Sequence, residues 1–159
     1  MMDNLDGGKP MRKSLLGLFA ISCALISASA LARRVEVPVE GRGRVLVVDA
    51  SINQRVSGRF IVDTGATYCV ITKEMARDVS LSGRNDGEKI RVATANGIVE
   101  ATLGQARRID VGDAVARDVA VAVMDDSPIP GFEGLLGLSF LEKFKYSVDS
   151  DRRVLILQN

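Results

Sequence analysis

In the stretch RFIVDTGATYCVIT, Arg59 to Thr72, one carboxylate, Asp63, closes an apolar run and is followed at once by Thr64 and Gly65. Strand interiors exclude Asp, because an unpaired charge that loses its water is costly to bury. An acid in such a place needs a partner or a task. The neighbouring residue types supply the means for a task. A carboxylate at the end of a strand has a fixed position. Gly65 lets the backbone turn closely and leaves its amide free to donate to the acid, and Thr64 adds a hydroxyl. A carboxylate so held can take a proton from water. Taken by itself, though, an Asp before Thr-Gly is more often a turn former than a catalyst.

Composition narrows the chemistry further. The chain has no His, which removes the usual base of Ser and Cys hydrolases and the commonest zinc ligand. It has two Cys. Cys23 falls in an N-terminal apolar segment and Cys69 reads as a small buried residue beside a strand, so neither a disulfide nor a reactive thiol is expected. Asp125 and Asp126, adjacent and without a His nearby, read as solvated surface charge, so no metal and no cofactor is expected. Net charge is +1 over 159 residues. Beyond Ala32 the balance is even, since 3 of the 21 basic and 2 of the 20 acidic residues precede it and 18 of each remain. No bulk field favours nucleic acid.

The elements that must position Asp63 read as short β runs between turn residues. From Val35 onward these are VEVPV, RVLVVDASI, GRFIVDTG, KIRVATANGIVEATL, RRIDVG, DVAVAVM and KYSVDSDRRVLIL. Asn96-Gly97 between two such runs is the preferred pair for a two-residue turn, which predicts a hairpin over Ile90 to Leu103. A second hairpin turns through Asp149-Ser150-Asp151. Two helical pieces interrupt the pattern: Thr72 can cap KEMARDV, and Ser139 with Glu142 has the spacing of a capping box for FLEKF. A chain of this length, 47% hydrophobic, suits one domain with its own core. The pattern predicts a mainly β fold, a small barrel with one or two short helices.

Met11 to Ala32 has Arg12 and Lys13 ahead of an uncharged apolar stretch that ends in small residues at Ala28, Ala30 and Ala32. That is the layout of a secretory signal with an A-x-A cleavage site. Leu15 to Ala32 also has the length of a minimal membrane span, so an uncleaved anchor stays open, as does lipid attachment at Cys23. Each of these readings sends the domain across a membrane.

Asp63-Thr64-Gly65-Ala66, with Phe60-Ile61-Val62 before it and Val70-Ile71-Thr72 after it, resembles the active-site signature of the aspartic proteases. Leu135-Leu136-Gly137 resembles the family's second motif, which packs beside the catalytic loop. The hairpin at Ala95, Asn96 and Gly97 falls between the two, where the family has its flap. Over roughly Val45 to Leu157 the order is similar to that of single-domain, retropepsin-like aspartic proteases, and in particular the bacterial exported or membrane-anchored branch. The resemblance implies a closed acid-protease barrel over 45–159. It is preceded by a linker or first strand at 33–44 and by a signal peptide or membrane anchor at 1–32.

The resemblance also implies a partner for Asp63. Hydrolysis in this family uses two facing carboxylates that share one proton, which gives activity a window on the mildly acidic side. One chain carries one such loop. The nearest imitation, Asp126-Ser127-Pro128, has a Pro, which offers no amide hydrogen, where Gly is needed. Asp63 is therefore expected to face Asp63 of a second copy across a two-fold axis. The reading is then a homodimeric endopeptidase of exported or membrane proteins, in the bacterial periplasm or anchored to the inner membrane. Thr64 would lock the two loops together, and the flap would hold the substrate backbone. The alternative is a retropepsin-fold module that dimerises or binds peptides without cutting them. An intact Asp63-Thr64-Gly65 favours the enzyme, because a module without use for the acid has little reason to bury it.

Overall fold

The computed structural model describes residues 33–41, 45–81, 88–94, 97–126 and 129–159. The expectations for the N-terminal 32 residues and for Ala95 and Asn96 lie outside these residues. In chain order the elements are β1 (Arg34–Pro38), β2 (Val47–Ile52), β3 (Val56–Val62), β4 (Cys69–Thr72), α1 (Lys73–Val79), β5 (Lys89–Thr94) and β6 (Gly97–Val111). There follow β7 (Ala114–Met124), β8 (Gly134–Leu136), α2 (Leu138–Leu141), β9 (Lys145–Asp149) and β10 (Val154–Gln158).

Six strands close on themselves in the order β2-β3-β8-β4-β7-β6, and β6 returns to β2 through Ile52 opposite Ile109. The small closed barrel inferred from the β runs is thus present. β5 pairs with β6 outside the ring, and β1-β10-β9 form a separate antiparallel sheet. Most pairs are antiparallel, but β3 runs parallel to β8 and β4 parallel to β7. Because β8 lies between β3 and β4, it brings the two ends of the 63–68 loop to one place.

The ring strands have apolar runs rather than clean alternation because both of their faces are covered. Successive side chains of a strand point to opposite faces. Phe60, Ile71 and Leu136 accordingly enter the main core with Val121 and Phe140. Their neighbours Ile61, Val70 and Leu135 enter a second cluster with Val47, Ala101, Ala122 and Met124. Among the described residues no polar or charged side chain is fully buried.

Local signals place α1 well. Thr72 is its N-cap, and its hydroxyl accepts from the Met75 N–H at 3.1 Å. The Gly112–Asp113 and 150–153 turns join β6 to β7 and β9 to β10. Three expectations need correction. First, IVEATL and RRIDVG are one strand, the 15-residue β6, because the segment between them continues to pair with β7 at Gly104, Gln105 and Ala106.

Second, Gly97 pairs with Thr94 and so opens β6, one position earlier than a turn centred on Asn96-Gly97 would have it. Its φ of 115° is a conformation that suits glycine. Third, Ser139 does not cap α2. Gly137 holds the N-cap position without a side-chain bond, and the helix is only four residues long. The Ser139 hydroxyl instead donates to the Ala120 carbonyl at 2.7 Å and accepts from the Cys69 N–H at 2.9 Å. Cys69 is buried and Ala120 half-buried, and there a lost partner costs more than a missing cap.

Ser139→Ala should therefore lower the unfolding free energy by about 1–3 kcal/mol, since it strands one N–H and one C=O. Urea titration followed by circular dichroism measures this, and an unchanged midpoint would refute the bridging role.

Candidate active site

Asp63 follows the last residue of β3, half-buried at the rim of the ring. Its backbone N–H donates to the Leu136 carbonyl at 3.0 Å. The carboxylate is held in turn: Oδ1 accepts from the Gly65 N–H at 2.8 Å, a charge-assisted bond of the kind read from the sequence. The Ala66 N–H closes the turn onto the Asp63 carbonyl at 3.3 Å. Within the described residues Oδ2 takes no hydrogen bond and no cation pairs with the acid.

The rest of the loop is fastened by the start of α2. The first N–H groups of any helix lack partners inside it. Here those of Leu138 and Ser139 donate to the Ala66 and Thr67 carbonyls at 2.8 and 3.0 Å. Gly137 makes this approach possible, because a Cβ there would stand 2.2 Å from the Tyr68 carbonyl oxygen and 2.7 Å from that of Ala66. Leu135-Leu136-Gly137 thus lies directly beside Asp63. Leu135 belongs to the second apolar cluster, Leu136 to the main core, and Gly137 to the crossing itself.

A cleft of about 830 Å³ opens at the loop. Asp63, Gly65 and Ala66 line it together with Val70, Met124 and Leu135 of the second cluster. The β5–β6 hairpin contributes another part of the lining through Arg91, Val92, Thr94 and Val99. The hairpin is therefore placed against the loop, although Gly97 itself is not part of the lining. Thr64 is exposed, stands outside the cleft lining, and its hydroxyl takes no partner within the described residues.

Sequence reading missed Tyr68, a half-buried aromatic in the lining, although its place just after Ala66 and Thr67 was a signal. It also missed Arg91. Of the two neighbouring acids, Asp125 forms an ion pair with Lys73 at 2.5 Å, and both it and Asp126 reach the cleft. The hydrogen bond from the Lys73 ammonium, aided by its charge, holds the Asp125 carboxyl below the usual range. Burial pushes the Cys69 thiol up, as suits a residue packed in the core.

Comparison with known proteins agrees with this geometry. Residues 48–143 match the family of gag-polyprotein putative aspartyl proteases. The fold is similar to that in the crystal structure of a retropepsin-like aspartic protease from Rickettsia conorii, with a TM-score of 0.59 and 27% identity, over 80% of this chain and 91% of that one. An uncharacterized protein in the cobV 5' region of Sinorhizobium sp is 32% identical over 81 residues, which are 51% of this chain and 34% of that protein. The chain thus matches about a third of the length of that curated relative.

Two outcomes follow from the geometry. Gly137→Ala should destabilise the fold by about 3 kcal/mol or more, since backbone cannot yield as a flexible side chain can; thermal unfolding reads this directly. Lys73→Met should raise the Asp125 titration midpoint, followed by carboxyl-carbon NMR. The sign for stability follows. A carboxyl depressed in the folded state adds stability above its ordinary titration range and loses it as pH falls through the folded value. Because both side chains are exposed, the change in stability should be small.

Proposed function

Since the chain belongs to the retropepsin-like aspartic protease family, we propose that it is an aspartic endopeptidase whose active centre forms from two Asp63 carboxylates of a homodimer. One observation carries the reading. Asp63 has one oxygen fixed by the Gly65 N–H and the other without a partner among the described residues, at the edge of a cleft to which Val70, Met124 and Leu135 bring apolar surface. A turn-forming Asp can make the same bond to the amide two residues on; what sets Asp63 apart is the cleft beside it.

The chemistry needs a second acid, and the sequence contains a single Asp-Thr-Gly. Asp125 is engaged by Lys73. A second copy of the loop supplies the missing group with identical geometry. One Asp63 takes a proton from a water held between the pair as the water oxygen attacks the scissile carbonyl. The protonated Asp63 of the partner gives its proton to the carbonyl oxygen. Collapse of the tetrahedral intermediate breaks the C–N bond, and a proton from the pair goes to the leaving nitrogen. The hydroxyl of Thr64, exposed beside the acid and without a partner among the described residues, would bond across the two loops.

The substrate is a polypeptide in extended form. Among the described residues β5 has a neighbour on one side only, so its other edge can accept a peptide as an added strand. The second apolar cluster offers a surface for side chains flanking the cut bond. Export, to the periplasm or to the outer face of an inner membrane, rests on the layout of Met11 to Ala32 alone. There the substrates would be exported or membrane proteins, and retention of the segment would confine both copies to one surface.

The full chain should cleave members of a peptide library at about pH 5, with specific activity that rises with protein concentration because the dimer is the active form. Asp63→Asn should lower kcat/KM by at least about 100-fold while leaving the unfolding midpoint close to that of the parent. Equal cleavage by the two proteins would sink the mechanism.

A further inference from the structure

The cleft beside Asp63 holds a second charge that the chain itself does not meet. Side chains of β7 alternate between the two faces of the ring. Val121 and Val123 enter the main core, while Ala122 and Met124 enter the second cluster. The two acids that follow the strand differ in the same way. Asp125 borders the cleft, but its charge is met by the Lys73 ammonium at 2.5 Å, and Lys73 lines a shallow groove with Val123. Asp126 lines the cleft in sequence with Ala122 and Met124. Its side chain is exposed and has no ion-pair or hydrogen-bond partner among the described residues.

The remaining charges of the lining lie on another face. Arg91 and Glu100 stand opposite each other in the β5–β6 hairpin, and Glu100 is also held by Lys89 at 3.1 Å. The next pair, Val92 and Val99, is the one that packs against the second cluster. Arg91 and Glu100 therefore point away from that cluster. Among the described residues, Asp63 and Asp126 are the uncompensated charges beside the apolar floor of the cleft.

An apolar floor that ends in an acid matches one kind of substrate side chain. Lys and Arg join an apolar stem to a cationic head, and they bury the stem while the head stays with water or an opposite charge. Such a stem would lie along Ala122 and Met124, and its head would meet Asp126. A neutral side chain of equal length gains the floor alone, and a glutamate brings like charges together.

We propose that Asp126 selects a basic side chain, Lys or Arg, in the polypeptide near the bond that is cut. This rests on the homodimeric endopeptidase reading given above and names its substrate class. A two-fold axis repeats Asp126 at both ends of the joined cleft, so the preference holds on either side of the cut bond.

The test uses the full chain in detergent and a set of apolar peptides that differ at one position. That position carries Lys, norleucine or Glu and is moved in turn along the peptide. Norleucine keeps the stem of Lys and lacks its charge. At a position on each side of the cut, Lys should give a KM about 5–10-fold below that of norleucine. The two kcat values should be nearly equal, because the contact forms on binding, before any bond breaks. Glu should raise KM further, and added salt should shrink the differences. Asp126→Asn should erase the advantage of Lys over norleucine, and Asp126→Lys should make Glu the preferred residue. Because Asp126 is exposed and unpaired, both variants should unfold near the temperature of the parent.

Equal KM values for Lys and norleucine at every position would overturn the assignment, as would a preference for Lys that Asp126→Asn leaves intact. Binding of the same peptides, labelled and followed by fluorescence anisotropy, separates this inference from the endopeptidase reading. An Asp126-dependent preference for Lys in binding without cleavage keeps the first and rejects the second. Asp63-dependent cleavage that ignores charge does the reverse, and peptides neither bound nor cut reject both.

Discussion

The close crossing of β8 over the loop that bears Asp63 is the constraint on which the site depends. Leu136 accepts from the backbone of the acid, and one residue later Gly137 passes so near Ala66 and Tyr68 that any side chain would collide with their carbonyls. The start of α2 then spends its free N–H groups on the same loop. The chain around Asp63 is thereby held by main-chain bonds from both sides, and no side chain has to be sacrificed to hold it. A carboxylate on such a base keeps its orientation without a neutralising cation.

The ring of strands makes that crossing possible because it buries both faces. The main core fills one side, and the second cluster, around Ile61, Val70 and Leu135, becomes both packing and cleft floor. Stability and substrate surface are therefore drawn from the same strands. The ion pairs among the described residues are mostly exposed, and surface pairs of this kind contribute about 0–1 kcal/mol each. Apolar burial and satisfied backbone carry the fold.

Much of this architecture was legible in the chain. The apolar runs located the ring strands, Thr72 announced α1, and Asp63-Thr64-Gly65 stood out because an acid closes an apolar run there and a second motif and a hairpin accompany it. Reading failed where a residue's local pattern pointed to one use and its distant neighbours to another. Ser139 and Glu142 have the spacing of a capping box, but Ser139 joins Cys69 and Ala120, respectively 70 and 19 positions away. Gly97 has the look of a turn residue, but pairing with Thr94 draws it into β6.

By itself the sequence determined which segments are extended, where one helix starts, and which acid is exceptional, because these follow from side-chain type and spacing over a few residues. Only the tertiary structure decided that Leu136 would hold Asp63, that Gly137 must be bare, and that the β5–β6 hairpin would help to line the cleft. The first two facts depend on backbone brought together from about 70 residues apart, and the third on a hairpin roughly 30 residues beyond the loop. No local preference encodes such a meeting; it exists only once the ring has closed.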